Sequence, residues 1–488
     1  MAISFNEIPG NIRVPFMYVE FDNSRANQGP TQQVYRALVM GNKLAAGTAP
    51  ADVPIRVTSA AQAKTYFGAG SMLSHMFEKW FDNNVSTEVW GMPLADNGAG
   101  VQATGTLTIT GPATGAGAIN LYVGGRKLSI GVLNGDTATA IATAVAAAIN
   151  AETTYPVSAA SALGVVTLTY KHKGLAGNEI DVRLNYYEGE ALPAGVACVI
   201  VAMAGGTLNP VLTTAIANMG DEQYHIMALA YTDAVSLTAL EAELSDRWGP
   251  LRMIEGMAFA GKNVDHSALL TLGDSRNSPH VSISSTYKMP TMPFEYAAGV
   301  AGVVAVQGQI DPARPLQTLE VDGVLPPAVT ERFTWSERNL LLYDGIATNY
   351  VDSGGLVRIE RMITTYQENA LAAPDPSYLD VETLLTLSYL RFDFRTYFLS
   401  KYPRHKLAND GTRFGAGQAV MTPKLGKAEA IAKFRQWEEL GLVENFDQFK
   451  EDLIVERNVT DVNRLDFMLP PDLINQLRVS GVQIGFLL

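Results

Sequence analysis

Cysteine is nearly absent from this chain of 488 residues, because Cys198 is the single one. One thiol excludes an internal disulfide and any metal site built from several cysteines. The neighbouring residues at 196–201 are small and apolar. This pattern predicts that Cys198 is a core residue of a strand rather than a reactive group.

The chain also has fewer basic residues than acidic ones. Lys and Arg number 36 against 49 Asp and Glu, so the formal net charge is −13, and only 17% of residues are charged. A protein that binds nucleic acid through its phosphates needs clustered Lys and Arg to displace counterions. We therefore predict no direct nucleic-acid partner. The chain still has 47% hydrophobic residues, enough apolar surface to fold, and its length predicts about two to four domains.

Long hydrophobic runs are missing as well. The longest nearly apolar stretch, residues 137–150, is shorter than the roughly 20 residues that a membrane-spanning helix needs. The first residues show no basic segment followed by an apolar one, so we expect no secretion signal. These features predict a protein that stays in the cytoplasm where it is made and has no membrane partner.

No catalytic constellation stands out. The six histidines show no i, i+4 spacing typical of metal ligands. Residues 256–262 match the spacing of a phosphate-binding loop, but Asn263 stands where Ser or Thr is needed, and the middle is an apolar strand pattern. Residues 273–275 resemble the nucleophile block of a family of esterases without the histidine that such a block requires. We predict no enzyme, no catalytic residues, no cofactor and no metal.

Shifts in composition predict the domain organisation. Glycine-rich joints at residues 96–100 and 204–206 bracket a stretch that is almost free of charge until Lys171. Strand and helix patterns alternate from residue 225 to 285, which predicts βαβ units and a mostly parallel sheet. The predicted parts are an N-terminal arm (1–24), an α/β core (25–97 and 207–375) interrupted by an α+β insertion domain (98–206), a C-terminal domain (376–478) and a C-terminal arm (479–488).

Local signals predict particular helices. Asp136 is the expected N-cap of a helix over residues 137–150. Residues 379–399 form a long apolar pattern that predicts a helix buried on more than one side. Thr422 and Pro423 predict the start of a further helix that ends at Gly441.

Several short blocks stand out as a group. They are residues 8–15 (IPGNIRVP) with 20–25 (EFDNSR), residues 311–315 (DPARP), residues 463–466 (NRLD) and, in the insertion, residues 135–138 (GDTA) and 171–178 (KHKGLAGN). Together these blocks resemble the tail sheath proteins of Mu-like contractile-tailed phages, and the resemblance extends over essentially the whole chain.

The resemblance implies a sheath-type α/β fold and a structural subunit that polymerises as stacked rings around a tail tube. Contraction would then drive the tube through the host envelope for genome delivery. The implied partners are further copies of the chain, the tail tube protein, and the baseplate and tail terminator proteins. The implied location is the virion tail, after assembly in the host cytoplasm. The sheath of a tailocin or of a type VI-like injection machine remains an alternative, as does an α/β hydrolase or nucleotide-binding enzyme.

Both ends of the chain show the alternation of a strand with one apolar face. An unpaired apolar strand is a liability for a monomer, so we expect both arms to add strands to the sheets of neighbouring subunits. The alternative is that both ends complete the core of their own subunit. The residues expected to form the two intersubunit strands are Phe16, Met17, Tyr18, Val19, Phe21, Val482, Ile484, Phe486 and Leu488.

Overall fold

The structure is a computed structural model that describes residues 33–415 and 417–488. These residues divide into two compact units. The larger unit consists of residues 34–388 and 474–488, and the described part of the smaller unit is residue 33 with residues 389–473.

The larger unit begins with three strands and two helices. Ser59 and Ser71 start the helices, because their hydroxyls accept hydrogen bonds from the amides of Gln62 (3.2 Å) and Ser74 (3.0 Å). The elements are β1 (Arg36–Asn42), β2 (Ile55–Val57), α1 (Ala60–Phe67), α2 (Met72–Asn83) and β3 (Glu88–Leu94).

Residues 102–204 build two antiparallel sheets of their own. The strand orders are β10-β4-β8-β7 and β6-β5-β9. The two ends of this region meet at a neck, where Val101 and Thr207 exchange both main-chain hydrogen bonds at 3.2 Å. The elements are β4 (Gln102–Thr110), β5 (Gly117–Val123), β6 (Arg126–Val132), α3 (Ala138–Ala151), β7 (Val157–Ala162), β8 (Val165–Lys173), a 3₁₀ turn (Leu175–Glu179), β9 (Val182–Leu184) and β10 (Ala197–Ala204).

Two local predictions in this region are wrong. Helix α3 is capped by Thr137, whose hydroxyl accepts from the amide of Ala140, whereas the Asp136 carboxylate accepts from Leu133 and closes the preceding turn. Both residues carry a suitable acceptor, and the position of the turn decides which one caps the helix. Cys198 lies on a strand as predicted, but β10 is an edge strand, so the thiol is half-buried and not a core residue. This partial burial raises the pKa of the thiol.

Strands and helices alternate through the next part of the larger unit, as predicted. The residues that match the spacing of a phosphate-binding loop form the buried strand β12, and Lys262 at its end is ion-paired with Glu179 at 2.6 Å. The elements are α4 (Thr213–Met219), β11 (Ile226–Leu229), α5 (Ala234–Trp248), β12 (Met257–Lys262), α6 (His266–Asp274), β13 (Val281–Ser285), α7 (Pro293–Ile310), a 3₁₀ turn (Val329–Glu331), α8 (Trp335–Tyr343), β14 (Ile346–Val351) and β15 (Val357–Arg361).

Among the described residues, eight strands form the central sheet in the order β15-β14-β13-β12-β11-β1-β3-β2. The pairs from β14 through to β3 are parallel, and the outermost pair at each edge is antiparallel. The register places Ala37 between Ile226 on one neighbouring strand and Val89 on the other. Parallel strands need crossover connections that cover the sheet faces, which accounts for their nearly continuous burial. The predicted α/β core with a mostly parallel sheet is confirmed.

Helix α7 was not predicted from the sequence. It is buried along most of its length, so its apolar residues surround the axis and leave no amphipathic period to detect. The local start signals are present. Pro293 occupies the first turn, and the Glu295 carboxylate accepts from the amide of Met292 at 3.3 Å.

The smaller unit contains short two-stranded ladders around helices. The predicted helices at 379–399 and after Thr422 are confirmed as α9 and α10, and the Thr422 hydroxyl accepts from the amide of Leu425. The ladders pair β16 with β17, β18 with β21, and β19 with β20. The elements are α9 (Val381–Lys401), which begins in the larger unit, then β16 (Lys406–Leu407), β17 (Val420–Met421), α10 (Pro423–Glu439), β18 (Val443–Glu444), α11 (Phe446–Asp452), β19 (Ile454–Arg457), β20 (Leu465–Met468) and β21 (Asp472–Leu473).

A buried ion pair joins α9 to α10 within the smaller unit. The ammonium of Lys433 lies 2.6 Å from the Asp393 carboxylate, and both side chains are at most 5% exposed. The indole of Trp437 donates to the same carboxylate oxygen at 2.7 Å. Because a buried charge needs such partners, this pair sets how the two helices face each other.

Candidate intersubunit arm

The C-terminal arm, residues 479–488, is exposed along its whole length. Val482, Ile484 and Phe486 are 82%, 84% and 79% exposed, and Leu488 is fully exposed. Within residues 33–415 and 417–488, no strand pairs with this segment. In the single chain, therefore, these predicted site residues do not form a strand and do not contribute to the core.

The N-terminal arm residues Phe16, Met17, Tyr18, Val19 and Phe21 lie outside the described residues. Their predicted pairing with a neighbouring subunit stays a prediction.

The arm root, residues 474–478, ends in an arginine that is held on the larger unit. One guanidinium nitrogen of Arg478, Nη2, lies 2.9 Å from a carboxylate oxygen of Glu382 and 3.1 Å from a carboxylate oxygen of Asp380. The Asp380 carboxylate also pairs with Arg361 of β15 at 3.0 Å. A second contact holds the root, since the side-chain amide of Gln317 donates to the carbonyl of Leu477 at 3.2 Å. The arm therefore starts from an anchored residue.

Glu382 is the buried member of this cluster. It lies in the first turn of α9, its side chain is inaccessible to solvent, and its other carboxylate oxygen accepts from the amide of Leu316 at 2.8 Å. Burial raises the pKa of Glu382, and the positive charge of Arg478 partly offsets that effect. The cluster holds two carboxylates and two guanidinium groups, so its charges balance.

The sequence analysis missed Arg478, Asp380 and Glu382. Arg478 stands directly before the alternating apolar residues, and a lone charge at that point is a weak sign of an anchor. The partners, Asp380 and Glu382, lie about a hundred positions earlier. Acidic residues at the start of a helix are common, so nothing in the sequence marks these two as partners of Arg478.

The residues that resemble an esterase nucleophile block have a structural role. Residues 273–275 form the end of α6, where Ser275 is the C-cap. Between residues 33 and 488, leaving out residue 416, no group of His, Cys, Asp and Glu side chains could hold a metal ion. Over the same residues, no helix is both long enough and apolar enough to cross a bilayer.

Comparison with known proteins identifies the family. The Mu-like prophage FluMu tail sheath protein of Haemophilus influenzae is 43% identical to this chain over 488 residues, which is 100% of both chains. The chain belongs to the phage tail sheath family. A family model described as the phage tail sheath protein central domain matches residues 204–365 of this tail sheath protein, and the phage tail sheath C-terminal domain matches residues 373–485.

A solved structure of a sheath protein shares the fold. The sheath tail protein of Listeria innocua is 12% identical, with a TM-score of 0.51 over 92% of this chain and 94% of that chain. The sheath tail protein of Desulfitobacterium hafniense is 15% identical, with a TM-score of 0.48 over 94% and 100%. A tail sheath protein is a structural component of the virion tail and not an enzyme, so the predicted family, role and location are confirmed.

Proposed function

We propose that this tail sheath protein polymerises as stacked rings around a tail tube, and that contraction of the polymer drives the tube through the host envelope for genome delivery. The observation that carries the proposal is the exposed C-terminal arm, whose Val482, Ile484 and Phe486 side chains have no cover in the single chain. Strand addition to a second copy would pair the arm's amides and carbonyls and bury its apolar face.

We further propose the smaller unit of a neighbouring subunit as the acceptor. The ladders β18–β21 and β19–β20 have two strands each among the described residues, and a two-stranded pair alone is marginally stable in water. Ile454 and Met468 in the second ladder are 48% and 53% exposed. An added strand would extend the ladder and cover these side chains.

The N-terminal arm, residues 1–24, would make the second link of the same kind. Its residues 16–21 are apolar or aromatic except for Glu20, a composition that favours an extended strand. Two arms per subunit that reach different neighbours make a head-to-tail interface, which builds an open helical tube rather than a closed ring alone.

We propose that the insertion, residues 98–206, is an outward-facing domain that polymerisation does not require. Its two sheets are separate from the central sheet, and its ends meet at the neck between Val101 and Thr207. A region with its own sheets and adjacent ends can be removed with little strain on the remaining chain.

The remaining proposed partners are the tail tube protein along the inner surface and the baseplate and tail terminator proteins at the two ends. These partners rest on membership of the family, and we assign no residue to them.

The arm is tested by three substitutions that keep its length. Val482, Ile484 and Phe486 are replaced by Ser in the full chain. The matched control makes the same replacement by Ser at Gln483 and Leu487, on the opposite face of the arm. Electron microscopy should show tubes for the parent and the control but none for the arm variant. The arm variant should melt like the parent, since the three side chains contribute nothing to their own core. Normal tubes from the arm variant, or its unfolding, would contradict strand exchange.

The insertion is tested separately by joining Asp96 to Leu208 with a short Gly and Ser linker. We expect tubes of smaller outer diameter. A second version carries Glu295→Gln, because the deletion removes Arg126, the partner of that carboxylate. Aggregates alone from both versions would show that the insertion is part of the polymerising unit.

A further inference from the structure

The position of Arg478 in the chain is the starting observation. Every residue from Val479 to Leu488 is exposed, whereas the Arg478 side chain is only 12% exposed. Leu477, directly before it, has a side chain that is 75% exposed, so Arg478 is the last side chain held against the larger unit before the exposed arm begins.

The partners of Arg478 lie at the start of α9 in the larger unit. Glu382 is in the first turn of α9, and its free carboxylate oxygen is bound by the amide of Leu316 from a separate loop. Asp380 is tied by two hydrogen bonds to Arg361 of the central sheet, at 3.0 and 3.1 Å. Force on the arm would be carried to a helix start and to the central sheet.

We propose that Arg478 is a positioning residue, which fixes the arm root on the larger unit and thereby pre-orders the C-terminal arm for docking on a second copy of this chain. The inference rests on the proposed strand exchange. Its physical basis is that an arm with a fixed root loses less conformational freedom on docking than one whose root is also free.

Removal of Arg478 alone would leave Glu382 buried without a cation, which could disturb the fold. The test therefore uses the double variant Arg478→Met with Glu382→Gln, which removes the link without leaving an unpaired charge. Arg478→Lys keeps the charge and should restore part of the effect, since one ammonium cannot present the planar guanidinium geometry. Arg56→Met is the matched control, an exposed arginine whose carboxylate partner lies 4.0 Å away.

The first measurement uses the unassembled full chain. A nitroxide label is placed at Ser480→Cys in a Cys198→Ala background, which leaves one thiol to label. We expect the double variant to increase the mobility of the label severalfold, with Arg478→Lys between it and the parent. Unchanged mobility would overturn the inference.

The second measurement is the protein concentration at which tubes first form. The double variant should raise this concentration at least about tenfold. The free-energy cost of ordering a few extra residues is larger than about 1.4 kcal/mol, which corresponds to a factor of ten. A mobile label with an unchanged threshold would also overturn the inference. If the arm variant with three Ser residues forms no tubes while the double variant behaves like the parent, only the role of Arg478 fails. If the arm variant forms normal tubes, the proposed strand exchange itself fails.

Discussion

Replacement of Arg126 by Met should show how firmly the insertion is attached to the core of the larger unit. Arg126 begins β6 of the insertion, and its guanidinium lies 2.6 Å from Glu295 of α7 and 2.7 Å from Glu78 of α2. The Glu295 side chain is 1% exposed, whereas Glu78 is partly exposed and keeps a second partner, Lys64, at 2.9 Å. The variant therefore leaves one deeply buried carboxylate without its cation.

The magnitude follows from that geometry. Breaking a buried pair by removing one partner costs about 3–5 kcal/mol, while the partly exposed contact to Glu78 adds at most about 1 kcal/mol. Local backbone geometry should survive, because the Tyr155 hydroxyl donates to the carbonyl of Arg126 and not to its side chain. We expect the variant to lose about 3–5 kcal/mol of unfolding free energy at neutral pH, measured by urea unfolding.

The loss should depend on pH. Burial raises the pKa of Glu295, and Arg126 partly offsets that effect, so the pKa rises further in the variant. An acid with a raised pKa in the folded state supports folding at low pH and loses that contribution as the pH rises through the folded pKa. The difference between variant and parent should therefore shrink on acidification. The double variant Arg126→Met with Glu295→Gln should recover most of the stability and lose this pH dependence. A cost below about 1 kcal/mol at neutral pH, or one independent of pH, would refute the reasoning.

Three further predictions concern other parts of the chain. Lys433→Met should destabilise the smaller unit by about 3–5 kcal/mol, and adding Asp393→Asn to that variant should restore most of the lost stability. Thermal unfolding followed by the fluorescence of the Trp437 indole measures both effects. Thr422→Ala should lower the urea midpoint by an amount worth about 1 kcal/mol, and Thr422→Ser should not. Burial lowers the pKa of His225 to about 4, so its neutral form supports folding above about pH 6.5 and that support is lost as the pH falls toward 4. His225→Gln should flatten this part of the stability profile, and an NMR titration of the parent would show the ring still neutral at pH 5.

The elements that sequence reasoning predicted well are those with a visible period or a start signal. Thr422 followed by Pro423 marks the start of α10, and the alternation of strands and helices around β12 and β13 predicts the parallel sheet. Helix α7 was missed because burial on all sides along most of its length removes the period, and the Asp136 cap was wrong because two adjacent residues both carry an acceptor. Hydrophobic periodicity and residue propensity depend only on residues close together in the sequence. They fail where burial or the position of a turn determines the structure.

The candidate site was predictable in one half only. The apolar alternation of Val482, Ile484 and Phe486 is a property of neighbouring residues, so it is readable from the sequence. The anchor at its root joins Arg478 to Asp380 and Glu382, and such a contact exists only after the chain has folded back. Ion pairs between distant residues leave no trace in composition or spacing.

The neck between Val101 and Thr207 would allow the insertion to be exchanged as one piece. Its two hydrogen bonds are formed by main-chain atoms, so they do not depend on which side chains follow. A recombination event that replaced the residues between these two positions would keep the distance that the core requires. Core groups that now pair with the insertion, such as the Glu295 carboxylate and the Lys262 ammonium, would need new partners. With the outward-facing placement proposed above, lineages of this sheath would acquire new exterior domains, with new antigenic or adhesive properties, while the rest of the subunit stays unchanged.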